Sequence, residues 1–166
     1  MIAVEAQSAL MPILTKLREF LDRQKVAYEV LTHRQAFTAQ EVAQAQHVPG
    51  AELAKVVMLR SGGQFLMAVL PAPQRVDLDR ARAAIGKPDL VLATEQEFQG
   101  LFPQCEAGAM PPFGNLYGLP VYVDQALTRD KDIVFNAGSH TLTVKMTYAD
   151  FARLVQPTIC SFAATP

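Results

Sequence analysis

Long apolar runs are missing from this sequence: no stretch approaches the roughly 20 apolar residues that a membrane-spanning helix needs. The chain opens Met1-Ile2-Ala3-Val4-Glu5, without the basic region followed by an apolar one that marks a signal peptide, so the expected address is the cytoplasm. Cysteine is scarce. Cys105 and Cys160 are far apart and form no Cys-x-x-Cys pair, which excludes a disulfide framework and a cysteine-based zinc site. His33, His47 and His140 are equally scattered, with no His-x-x-x-His spacing, so no metal and no cofactor are expected. An excess of charge is lacking too. The 15 Lys and Arg residues balance 16 Asp and Glu, leaving a net charge of −1. That balance excludes a protein that neutralises long stretches of phosphate, and no DNA partner is expected. Contact with one nucleic-acid end remains compatible with it.

What is present is the composition of one folded domain. The chain has 166 residues, half of them hydrophobic and 19% charged. A single domain over residues 1–166 is expected, with flexible ends at about 1–8 and 160–166. Leu10, Ile13, Leu14, Leu17 and Leu21 recur at helical spacing, and Pro12 suits a first helical turn. Residues 26–31 read as a strand, and Thr38-Ala39-Gln40-Glu41 has the capping-box form of a helix running to about Gln46. The runs 54–59 and 65–70 flank Arg60-Ser61-Gly62-Gly63-Gln64 as a hairpin would. Helices are predicted over residues 77–85, 94–100 and 147–155, and strands over 119–123, 133–136 and 141–146. Residues 102–120, rich in proline and glycine, read as loop. This interleaving predicts an α/β fold of α+β-like character, a central mixed sheet covered by helices.

Three features depart from what packing alone asks for. Lys55 interrupts Leu53-Ala54-Lys55-Val56-Val57-Met58-Leu59, and lysine is rarely buried without a reason; it either marks a site or snorkels to water along its stem. Glu106-Ala107-Gly108-Ala109-Met110-Pro111-Pro112-Phe113-Gly114 is apolar, stiffened by proline and hinged by glycine. Such a loop either lines the core or fixes backbone amides to hold a carbonyl or oxyanion. Phe135-Asn136-Ala137-Gly138-Ser139-His140 ends a strand in small polar residues and an imidazole, which is a hairpin turn or a pocket edge. Side-chain nucleophiles are not evident. Ser61 and Ser139 lack a Gly-x-Ser-x-Gly elbow, and Cys105 has no basic neighbour in sequence.

In this chain order the three features resemble the YbaK / prolyl-tRNA synthetase insertion-domain family of aminoacyl-tRNA deacylases. The likeness rests on His33 with Thr38-Ala39, on Ala54-Lys55-Val56-Val57, on the Gly-x-x-x-Pro pattern from Gly108 to Pro112, on Leu119-Pro120-Val121-Tyr122-Val123-Asp124 and on Asn136-Ala137-Gly138-Ser139. It implies a trans-acting hydrolase that removes a wrong small amino acid from tRNA, tRNA for proline being the substrate type it favours. It further implies Lys55 and Gly108 as catalytic residues, and His33, Thr38, Ala109, Met110, Pro111, Pro112, Asn136, Gly138, Ser139 and His140 as substrate-binding ones. The implied partners are the tRNA acceptor end and an aminoacyl-tRNA synthetase. Arg75, Arg80, Arg82 and Lys87 are cations for its phosphates, or an ordinary solvated helix face. One position departs from the family: Val56 stands where relatives often carry asparagine or threonine. The same residues also allow a non-catalytic module that binds an aminoacyl or nucleotide end, and a hydrolase of small activated esters.

Overall fold

The computed structural model describes residues 13–32 and 52–165. Two apolar runs set its centre. Strand β2 (Ala54–Ser61) pairs antiparallel with β3 (Gln64–Pro71) from Ala54↔Pro71 to Ser61↔Gln64. The hairpin is longer than the apolar runs suggest, because Arg60-Ser61 and Gln64 continue the ladder and only Gly62-Gly63 turn, Gly62 at φ +60. In β3, Met67 and Val69 join the larger core while Leu66, Ala68 and Leu70 join a smaller one on the opposite face. Burial on both faces is why this run shows no polar alternation.

Around the hairpin, β6 (Val121–Asp124) runs parallel to β3, and β9 (Thr158–Cys160) runs parallel to β6. With β5 (Val91–Leu92) on the other side, the five-stranded sheet has the order β5-β2-β3-β6-β9. A second, antiparallel sheet has the order β1-β8-β7, from β1 (Glu29–Thr32), β8 (Leu142–Thr147) and β7 (Asp132–Ser139). A parallel bridge between Leu53 and Val134 joins the two sheets. The fold is thus the mixed α/β architecture the sequence predicts, although β5, β9 and the two-residue strands β4 (Arg75–Val76) and β10 (Ala163–Ala164) are too short to show a period.

Helix α1 (Thr15–Arg23) starts later than its apolar spacing suggests. The Leu14 N–H donates to Ala137 O at 3.0 Å, which holds Leu14 extended and makes Thr15 the first helical residue. Leu10 and Pro12, and the helix expected at 38–46, lie outside the described residues. Helices α2 (Leu78–Ile85), α3 (Glu95–Phe98) and α4 (Tyr148–Val155) follow the predicted starts, since Asp77, Thr94 and Thr147 each accept a backbone N–H as N-caps. Among the described residues no helix is long and apolar enough to cross a membrane.

The larger core lies where α1, α4 and the inner faces of both sheets meet. Phe113 is fully buried there, its ring centroid 5.5 Å from that of Phe135 and 5.4 Å from that of Phe151. The end of the chain, expected to be loose from residue 160, is pinned as far as it is described. Phe162 is fully buried in the smaller core. Asp124 Oδ1 accepts the Phe162 and Ala163 amides at 2.9 Å each, and β10 pairs with β4. One apolar ring and one carboxylate supply an anchor that the small residues around them do not announce.

Candidate functional site

Strand β7 carries the site. Its one edge is taken by β8 as far as Asn136↔Thr143, after which the register shifts and resumes at Ser139↔Leu142. The shift is a bulge at Ala137-Gly138, and His140-Thr141 form the two-residue turn. Gly138 is therefore the bulge and not the hairpin turn. It has φ +99, and a Cβ there would lie 3.0 Å from Leu14 Cβ, so both backbone and space ask for glycine.

The other edge of β7 takes two attachments. Leu53 bridges Val134, and further along, Gly138 pairs with a turn: the Glu106 N–H donates to Gly138 O at 2.8 Å, and the Gly138 N–H donates to Ala109 O at 2.9 Å. Asn136 lies between them, half-buried, and its Oδ1 has no hydrogen-bond partner among the described residues. The turn itself closes with the Ala109 N–H donating to Glu106 O at 3.0 Å. Gly108 occupies its left-handed position at φ +79 while Ala107 keeps a negative φ, the sign pattern of a type II turn. His140 is 5% exposed and its Nε2 lies 2.6 Å from Ala107 O. A carbonyl oxygen only accepts, so Nε2 carries the proton.

Beyond the turn the chain plunges inward. Ala109, Met110, Pro111, Pro112, Phe113 and Gly114 are all buried, which leaves Glu106, Ala107 and Gly108 as the exposed part of the loop. The Ala109 amide is used in closing the turn, whereas the Gly108 amide donates to no described acceptor. A hollow of about 280 Å³ borders this stretch, lined by Glu95, Phe98, Phe102, Cys105, Glu106 and Met110 among others. That size is near the lower end of the ~300–1,000 Å³ usual for ligand pockets. An adjoining hollow brings Glu95 and Glu106 beside Gly108 and His140. The sequence did not single out these two carboxylates, because Glu95 reads as first-turn helix charge and Glu106 as loop polarity. Burial pushes the Cys105 thiol above its ordinary value, contrary to what a nucleophilic cysteine needs.

Thus Gly108, Ala109, Gly138, Ser139 and His140 are brought together and Asn136 stands next to them. Lys55 lines neither hollow beside the turn. It lies on β2 opposite Leu70, alternating with Ala54 and Val56, which pack toward the larger core, so it belongs to the other face of the sheet. It is half-buried, and burial lowers the pKa of its ammonium. The bridge of Leu53 to Val134 ties the residue just before β2 to β7. His33 and Thr38 lie outside the described residues. Of the four cations considered for phosphates, three are engaged within the protein: Arg75 donates to Thr165 O, Arg80 to Ala163 O and Arg82 to Leu90 O. Among the described residues no three His, Cys, Asp or Glu side chains converge as metal ligands.

Comparison with known proteins bears on this geometry. Residues 33–154 match the model of a family described as an aminoacyl-tRNA editing domain. Over 155 residues the chain is 29% identical to the multifunctional Ser/Thr-tRNA deacylase ProXp-y of Escherichia coli strain K12, covering 90% of this chain and 92% of that protein. A solved structure of a candidate trans-editing enzyme for prolyl tRNA synthetase superposes with a TM-score of 0.76 at 20% identity, over 90% of this chain and 95% of that one. A crystal structure of a hypothetical protein superposes with a TM-score of 0.80 at 18% identity, over 90% and 99% of the two chains.

Proposed function

The chain belongs to the aminoacyl-tRNA editing domain family, and from that premise we propose that it is a trans-acting hydrolase cleaving the ester between a small amino acid and tRNA, in the cytoplasm. One observation carries the reading: an exposed type II turn, whose Gly108 amide donates to no described acceptor, borders a hollow lined by Glu95 and Glu106. An aminoacyl ester is a carbonyl next to an ammonium group. The amide suits the first and the carboxylates suit the second.

In the proposed reaction, water adds to the ester carbonyl carbon, and the carbonyl oxygen takes up negative charge. Gly108 N–H stabilises that oxyanion. When the tetrahedral intermediate collapses, the carbon–ribose oxygen bond breaks, the ribose oxygen departs with one of the water's protons, the other passes to solvent, and the amino acid leaves as its carboxylate. A ribose hydroxyl of the substrate helps to place the water, so a strong general base is not required. Lys55, on the strand whose start is tied to β7 through Leu53, holds the terminal phosphate or ribose. The tRNA contact is small, in keeping with a net charge of −1 and with arginines already engaged in the fold. Mischarged tRNA for proline is the proposed substrate type. The E. coli relative, a Ser/Thr-tRNA deacylase, makes seryl and threonyl esters the next to examine. A synthetase is the proposed protein partner.

The test is a deacylation assay with a panel of tRNAs carrying alanine, serine, threonine or cysteine, with Lys55→Ala in parallel. Release from at least one member, with a raised KM in Lys55→Ala, is expected. No release from any member would defeat the proposal, and binding without release would leave a recognition module. Equal rates on free amino-acid esters would make the protein a small-ester hydrolase.

A further inference from the structure

A trans peptide is planar, and its C=O and N–H point to opposite sides of the chain. The peptide joining Ala107 to Gly108 is the central one of the 106–109 turn, the single unit whose rotation by about half a turn converts type II into type I. Two features hold it in the type II orientation. Gly108 has the left-handed φ that this orientation requires, and the buried His140 donates Nε2–H to Ala107 O at 2.6 Å. With the carbonyl tied to the imidazole, the Gly108 N–H must face away from it, on the exposed side of the turn.

We propose that His140 is a positioning residue: by holding Ala107 O it keeps the 107–108 peptide in one orientation and so aims the Gly108 amide at the reacting oxygen. This rests on the deacylase reading above and gives His140 a role different from touching the substrate. The other bonds of the turn do not fix this peptide. The Glu106 and Ala109 bonds to Gly138, and the Ala109 bond to Glu106, involve the flanking peptides and are equally compatible with either orientation. Among the described residues, what then opposes the flip without the imidazole is the preference of one glycine, and glycine accepts both signs of φ. The site would remain folded with its donor turned away.

The test uses full-length protein labelled with ¹⁵N-glycine, in which nine glycine amides are observed and that of Gly108 is identified by its loss in Gly108→Ala. In His140→Leu the Gly108 amide resonance is expected to move, and kcat for deacylation to fall on the order of 100-fold, the usual effect of losing one oxyanion donor, with KM changed less than about threefold. His140→Gln, whose side-chain amide N–H reaches about as far as Nε2, is expected to restore both the resonance and most of kcat. Gly108→Ala keeps the amide but disfavours the type II turn. It should lower kcat as His140→Leu does, and the double variant should be no worse than either alone.

A raised KM with unchanged kcat in His140→Leu would overturn the proposal in favour of direct substrate contact. So would an unmoved Gly108 resonance in that variant. If His140→Leu does not fold, Gly108→Ala decides: unchanged kcat there rejects the device. Should wild-type protein deacylate nothing, the deacylase reading fails, while the resonances of His140→Leu and His140→Gln still report whether the imidazole sets the peptide.

Discussion

Two turns follow each other directly in this chain and resemble one another closely, yet they are held in opposite ways. In the first, residues 102–105, Pro103 precedes Gln104 at φ +72 and the Cys105 N–H donates to Phe102 O at 3.2 Å. In the second, residues 106–109, Gly108 takes the left-handed place and Ala109 closes on Glu106. The first is fastened by a side chain: Phe102 is 3% exposed and packs edge-on against Tyr117, ring centroids 4.7 Å apart. The second has exposed residues at its tip and is fastened by backbone bonds to Gly138 and by His140. A side-chain anchor stabilises through burial. A backbone tether fixes direction, which is what the proposed oxyanion donor requires.

The contrast can be broken most forcefully at Phe102. Replacing it with alanine empties a buried site, and unfolding in denaturant should show a loss of about 3–5 kcal/mol. Gly138→Ala attacks the second turn through its tether. Left-handed strain of about 1–2 kcal/mol, added to a Cβ 3.0 Å from Leu14 Cβ, should lower stability moderately while deacylation falls more than stability explains. If stability and activity fall together in proportion, the tether is merely structural.

Gln104→Gly sharpens the comparison from the other side. It relieves a non-glycine residue held at φ +72, so a gain of up to about 1 kcal/mol in thermal unfolding is expected. Gln104 also borders three of the hollows around these turns, and a drop in activity alongside that gain would mark the strain as functional. The smallest effect belongs to Lys55. Burial lowers its folded pKa below the ordinary 10.5, so the unfolded chain binds more protons between the two values, and this residue's contribution to stability rises with pH through that window. Lys55→Met should remove that rise, seen as stability curves for the two proteins that converge toward alkaline pH. Curves that stay parallel would show that the ammonium is not desolvated.

Much of the architecture was legible. The three helix starts at Asp77, Thr94 and Thr147 were legible from composition and apolar spacing, and the 54–70 hairpin was plain from its apolar runs and paired glycines. The chain's last strands were not legible, because two or three residues carry no period and Phe162 looks like any aromatic near an end. Among the candidate site residues, Lys55, Gly108 and the 136–140 stretch stood out one by one. Their assembly did not: Gly138 read as a turn glycine, and His140 read as an edge residue when it is a buried donor to a carbonyl 33 positions away.

What the sequence determined by itself is local: period, caps, turns, the scarcity of cysteine and histidine, and the absence of charge enough for broad nucleic-acid binding. Each depends on neighbours within a few residues or on composition. The tertiary structure alone decided which of the loop's amides closes the turn and which donates to no described acceptor, and which arginines are already engaged. Those outcomes depend on which backbone groups meet across the fold, and a backbone N–H or C=O is the same in every sequence until a partner is brought to it.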